Sequence, residues 1–204
     1  MDAIRAQWPG ATLIVTVDNG IVAHEAIAYA GEQGFDVIVT DHHEASQTLP
    51  EAIAVVDPKR DDERYPFREF CGTGVAFKVM LNLYAKMGVM PTRVLNTLDL
   101  VALATVADVM PLVGENRTTV REGVRLIQSG RRPFFRALMA EGKIQNVTAH
   151  FTLGFLFGPA VNALCRMGKD LRVATQAMIC PDEARCREAA AFMLEVNAER
   201  KAET

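Results

Sequence analysis

Apolar residues recur in two rhythms along the chain, first as short β-branched runs and then as longer stretches with helical spacing. The run 12–17 (TLIVTV) is closed by Asp18-Asn19-Gly20, residue types that suit a tight turn, and reads as a buried parallel strand. Across 21–33, Ile21, Val22, Ala26, Ile27 and Ala30 fall near helical spacing, and Gly31 and Gly34 supply the stop. Residues 35–40 (FDVIVT) repeat the strand signal. A third strand at 53–56 ends in Asp57-Pro58, where proline prevents further ladder pairing. Strands linked by a helix in this way predict a parallel α/β sheet.

Beyond a charged, turn-rich loop at 59–68 the periodicity becomes helical. CGTGVAFKVMLNLYAKMG opens on small residues and ends in Gly88, while Val94, Leu95, Leu98, Val101, Ala102 and Thr105 mark one face of the next helix. That helix runs into ATVADVMPL and stops at Pro111. Further helices are expected around 115–129, 133–141 and 168–179. The ending PDEARCREAAAFMLEVNAERKAET has proline and acids first and a basic pair late, as the helix dipole favours, and predicts one long helix.

Composition changes this picture little. With 204 residues, half of them hydrophobic and 23% charged, the chain suits one main globular domain, with or without an appendage. A formal charge of −3 gives no global basic field, so charge neither supports nor excludes a nucleic-acid partner. Cys71, Cys165, Cys180 and Cys186 lack any CxxC spacing, which argues against a structural zinc site or a disulfide framework and fits a reducing cytoplasm. The start MDAIRAQWPG is not a secretory leader, and no apolar run reaches the roughly 18 residues of a membrane span. The expected location is cytoplasmic, with no membrane partner.

The chemistry concentrates where strands end. Ligands of open parallel sheets bind beyond the carboxyl ends of the strands, and Asp18 and Asp41 both stand there. One such aspartate reads equally well as a turn or cap residue; two on neighbouring strands point to a shared ligand. His42 and His43 add imidazole to carboxylate, a mixed set suited to Mn²⁺ or a similar divalent ion. Successive side chains near a strand end point different ways, so one histidine is expected to ligate and its neighbour to meet an anionic substrate. Asp108 sits at the end of a helix, where the dipole disfavours an acid unless a cation compensates it. Asp57 reads as a turn residue, and His24 and His150, which are isolated, as ordinary. A metal held in this way orients a phosphate and acidifies a water, best as a pair of ions about 3.5–4 Å apart.

These segments resemble the DHH phosphoesterase family, named for the Asp-His-His found here as Asp41-His42-His43, and within it the RecJ-like exonucleases specific for single strands. TVDNGI (16–21), VTDHHE (39–44) and VALATVADVMPL (101–112) resemble successive family motifs, CGTGVAFK (71–78) and GPAVNALCRMG (158–168) further segments, and LEVNAERK the helix linking two core domains. The resemblance implies a Rossmann-like α/β domain core over 1–112, a helical remainder over 113–179 and the start of a linker helix over 180–204. It implies a metal-dependent 5′→3′ exonuclease of single-stranded DNA in repair and recombination, with single-strand-binding protein or helicase partners. Asp18 would bridge two Mn²⁺ (or Mg²⁺) ions, His42 and Asp108 would bind one of them, and Asp41 would be a supporting acid. His43 would face the scissile phosphate, with Asn162 and Arg166 near phosphate, where a planar guanidinium suits the task.

The departures are equally specific. The family's first Asp-x-Asp motif has no counterpart here, Ala160 replaces a usual arginine, and Leu164-Cys165 replace a small-residue pair. The chain is therefore expected to be an interior piece that holds at most one ion and is inactive by itself. Two other readings stand beside this one. The first is a phosphodiesterase of short oligonucleotides or cyclic dinucleotides, or a pyrophosphatase. The second is a non-catalytic nucleic-acid-binding or partner-binding module, for which the basic run Arg131, Arg132, Arg136 gives footing.

Overall fold

The computed structural model describes residues 1–203, which form two compact units, one over 1–94 and the other over 95–203. In the first unit the three apolar runs become β1 (Leu13–Val17), β2 (Asp36–Thr40) and β3 (Ala54–Val56). Among the described residues they make one parallel sheet in the order β1-β2-β3, with Val17 opposite Thr40 and Thr40 opposite Val56. The register brings all three carboxyl ends to one edge, so Asp18, Asp41 and Asp57 each begin the loop that follows a strand.

A short helix α1 (Asp2–Gln7) precedes β1, and α2 (His24–Glu32) connects β1 to β2. α2 runs through Gly31 and ends ahead of Gly34, whose φ of +78° is the left-handed stop. Ile27 and Ala30 of α2 pack with Phe35, Val37 and Val39 in a small core. Each large side chain buried there contributes about 1.5–3 kcal/mol. β1 differs from the expected buried strand: Leu13, Val15 and Val17 are about half exposed. Its alternation places Ile14 and Thr16 on the face of Val37 and Val39 and leaves Leu13, Val15 and Val17 on the other, and an all-apolar run does not reveal which face is covered. After β3 comes α3 (Gly72–Lys86), followed by a single turn, α4 (Thr92–Leu95).

The second unit is helical: α5 (Leu98–Ala107), α6 (Gly114–Gln128), α7 (Pro133–Glu141), a π-helix (Ala149–Phe157), α8 (Gly158–Arg166), α9 (Arg172–Ile179) and α10 (Glu183–Ala202). The continuous helix expected from Val94 to Thr105 breaks at Asn96-Thr97. Thr97 is the N-cap of α5, its carbonyl accepting from the Leu100 and Val101 N–H groups, and the Asn96 side chain is taken up by Arg131, which donates to its Oδ1 at 2.8 Å. Phe134, Phe135, Leu138, Leu153, Phe157, Leu164 and Met193 fill the core. α10 is the expected long terminal helix; Asp182 caps it by accepting from the Arg185 N–H at 3.0 Å, and it packs on α7, α8 and α9.

Candidate metal centre

The end of β1 is held in an unusual shape. Asp18 has φ +60°, a left-handed conformation that aspartate tolerates better than most residues, and its N–H donates to the Thr40 carbonyl at 3.0 Å. The Thr40 hydroxyl donates to the Thr16 carbonyl and the Thr16 hydroxyl to the Asn19 carbonyl, each at 2.6 Å, locking the two strand ends together. Gly20, at φ +114°, completes the turn, and a Cβ there would lie 2.9 Å from Thr16 Oγ1. Asp18 thus projects a half-exposed carboxylate from a rigid base.

Asp41 faces the other way. It is buried, its Oδ2 accepts from the Ile21 N–H at 3.0 Å, and its Oδ1 accepts from the His42 N–H at 2.8 Å and meets His43 Nδ1 at 2.7 Å. Burial alone would raise this carboxyl, but the hydrogen bonds from Ile21, the His43 ring and the His42 and His43 backbones outweigh it and hold the pKa below its ordinary value. Both oxygens are committed within the protein, so Asp41 organises the loop and orients His43.

His42 is 6% exposed and directs Nε2 at Asp18 Oδ1, 2.9 Å away, while the His43 side chain is largely exposed. The two rings lie close, with centroids 4.5 Å apart, and Asp18, His42 and His43 each offer a ligand atom within 4.8 Å of the others. The strand alternation expected to separate the histidines does not apply, because β2 ends at Thr40 and both belong to the loop beyond it. One carboxylate oxygen and two imidazole nitrogens at this spacing fit a divalent ion of the Mn²⁺ class.

Two further residues shape this edge. Asp57 is completely buried, and burial followed by the charge of Asp41 pushes its carboxyl up against the lowering effect of the Lys59 N–H. Gly72, the first residue of α3, lies so close to Asp18 that a Cβ there would fall 2.4 Å from Asp18 Oδ1. In the sequence Asp57 is a turn residue and Gly72 one of several small residues opening a helix. Repetition was the available signal: Asp57 is the third aspartate in succession to follow a strand directly.

Of the expected site residues, the first unit brings together Asp18, Asp41, His42 and His43. Asp108, Asn162 and Arg166 belong to the second unit. There Asp108 caps the C-terminus of α5, is exposed, and precedes Val109 at φ +57°, a rare conformation for a β-branched residue. Asn162 and Arg166 are exposed one turn apart on α8, whereas Ala160 and Leu164, two of the departing positions, are fully buried and serve packing. The basic run is largely committed: Arg131 donates to Asn96 Oδ1 at 2.8 Å, Arg132 grips the buried Asp99 at 2.7 and 3.0 Å, and Arg136 pairs with Glu183 at 2.7 Å. His24 contacts Ser46 Oγ at 2.9 Å, and His150 stacks edge-on with Phe155.

The family model for the N-terminal domain of the DHH family matches residues 2–105, the stretch that carries the three strands and Asp18, Asp41, His42 and His43 at their ends. The chain belongs to the DHH family. Among known DHH proteins it is 38% identical over 208 residues to the single-stranded-DNA-specific exonuclease RecJ of Salmonella typhimurium, covering 97% of this chain and 36% of that one. A crystal structure of exonuclease RecJ bound to manganese superposes with a TM-score of 0.85 at 32% identity, covering 99% of this chain and 50% of the other. RecJ from Thermus thermophilus in complex with Mg²⁺ gives a TM-score of 0.70 at 30% identity, over 94% and 26%. The chain thus spans about a third of the length of the curated relatives it matches. No described helix is long and apolar enough to cross a membrane.

Proposed function

We propose that the protein to which this chain belongs is a metal-dependent 5′→3′ exonuclease of single-stranded DNA. The observation that carries this reading is the Asp18–His42–His43 cluster, one oxygen and two nitrogens within 4.8 Å at the carboxyl edge of a parallel sheet. Asp18 and His42 hold a divalent cation, Mn²⁺ or Mg²⁺, as the RecJ structures bound to those ions support. What such an ion supplies when bound is polarisation of the scissile phosphate and a water acidified enough to attack it. Asp41 anchors the loop and turns His43, through its Nδ1, to face the substrate phosphate. The left-handed turn at Asp18 fixes the carboxylate before any ion arrives, which reduces the reorganisation that binding requires. Asn162 and Arg166, exposed along one face of α8, are proposed phosphate contacts, Arg166 through its planar donor fork.

The test uses the full-length protein with Mn²⁺ and end-labelled DNA. Stepwise degradation of long single strands from the 5′ end, abolished by Asp18→Ala, is the expected result. Preference for dinucleotides over long strands would replace the exonuclease reading with a short-substrate phosphodiesterase, and activity unaffected by Asp18→Ala would refute the assignment of the centre.

A further inference from the structure

Two phenylalanines of the second unit face solvent while Phe134, Phe135 and Phe157 of the same unit are fully buried: Phe151 is 60% exposed and Phe155 58%. Both lie on the π-helix, which passes into α8 without a break, because Phe157 and Gly158 keep right-handed helical dihedrals. Ala149 to Arg166 is therefore one rod. Its inner side is packed. Leu153, Phe157, Ala160 and Leu164 enter the core, and a Cβ on Gly158 would lie 3.0 Å from the Cβ of Ala107, the residue before Asp108.

The outer side carries Phe151, Phe155, Asn162 and Arg166, all exposed and spaced by four, seven and four residues, which keeps them on one face. The His150 ring braces Phe155 edge-on, with centroids 5.0 Å apart. Arg132 and Arg136 are each held by an acid, whereas Arg166 takes part in no ion pair among the described residues. Flat apolar rings followed on the same face by an uncommitted guanidinium match the two parts of a nucleotide, base and phosphate. Only a single strand offers bases that are free to leave their neighbours, and any base stacks on a ring because each has a π-face. A protein seated on the rings would need apolar surface alone and gives Arg166 no reason to share their face.

We propose that Phe151 and Phe155 form a base-stacking platform for single-stranded DNA, with Asn162 and Arg166 holding phosphate further along the same rod. The inference rests on the reading of Asn162 and Arg166 as phosphate contacts, and it adds a selection for unpaired strands without a preference for their sequence.

The experiment uses the full-length protein in chelator, so that strands bind without being cut. Fluorescence anisotropy gives its affinity for an oligothymidylate and for an abasic strand of equal length, which keeps the phosphates and lacks the bases. Changing both rings, Phe151→Leu with Phe155→Leu, retains apolar bulk and removes the flat faces. This variant is expected to bind oligothymidylate at least about 5-fold more weakly than wild type, the lower limit for one stacked base, and the abasic strand equally well. Arg166→Gln should weaken binding of both strands and reduce its salt dependence. Unchanged oligothymidylate binding in the ring variant overturns the proposal, and so does an equal loss on both strands. Crosslinking needs no variant: 5-iodouracil in the strand, photoactivated on the wild-type protein, should join Phe151 or Phe155, and adducts confined to other residues overturn the proposal as well. Arg166→Gln separates the two levels. If it binds both strands like wild type, the phosphate reading itself is wrong; if it weakens both while the ring variant weakens neither, only the platform falls.

Discussion

Replacing Gly72 by alanine probes the centre without touching a ligand. Gly72 opens α3 and has no positive φ, so its backbone does not require glycine; in a helix interior alanine would be favoured by about 0.5–1 kcal/mol. The reason for glycine is the approach of Asp18, since an added Cβ would sit 2.4 Å from Asp18 Cβ and Oδ1 and 2.5 Å from its Cγ. Contacts that short are impossible, and because the Asp18 Cβ is fixed by a backbone pinned through its N–H to Thr40, no change of rotamer relieves them: the start of α3 must move away or the turn at Asp18 must deform. Overpacking of this kind costs about 1–3 kcal/mol. Gly72 is the first residue of the helix, where alanine gains little, so a net loss of about 1–3 kcal/mol is expected. The 2.9 Å approach of Asp18 to His42 does not survive the displacement. Mn²⁺ affinity should then fall at least as far as for loss of a supporting residue, about 10–100-fold. Chemical denaturation and Mn²⁺ titration of the same sample give both quantities. A Gly72→Ala chain that binds Mn²⁺ as wild type does would refute the argument, and one that loses several kcal/mol would assign Gly72 to packing instead.

Other outcomes follow from the same geometry. Asp41 has a folded-state pKa below its unfolded value, so its stabilisation is present above the unfolded carboxylate range and is lost as pH falls through the folded pKa. Asp41→Asn should therefore destabilise by about 2 kcal/mol or more at neutral pH, with the gap to wild type closing in denaturation curves below about pH 4. Gly20→Ala forces a Cβ against Thr16 at φ +114° and should cost more than about 1 kcal/mol by urea unfolding. Arg132→Met strands the buried Asp99 without its partner and should cost about 3 kcal/mol, whereas changing both residues to matched apolar ones should recover most of it.

The sequence carried the parts of this structure that depend on local pattern. All three strands lie within a residue of their apolar runs, and Asp18, Asp41, His42 and His43 converge because parallel pairing leaves strand ends no other place to go. What it did not carry was set by tertiary surroundings. Leu13, Val15 and Val17 look as buried as Val37 and Val39, yet the register puts them on the opposite face of the sheet, where they are half exposed. The π-helix from Ala149 to Phe157 is almost wholly apolar and has no dominant face to announce it. The break at Asn96-Thr97 and the close approach of Gly72 to Asp18 likewise depend on partners distant in sequence. His42 and His43 lie beyond the end of β2, so strand alternation does not set their directions: His42 is buried against Asp18 while His43 is largely exposed.

Whether an imidazole of His42 ligates the ion can be read from bound Mn²⁺ itself. Pulsed electron paramagnetic resonance of the Mn²⁺-loaded chain should show nitrogen-14 coupling from a histidine that weakens or disappears in His42→Ala, with Asp18→Ala losing the ion. Bound Mn²⁺ whose nitrogen coupling is absent, or identical in wild type and His42→Ala, would contradict the account.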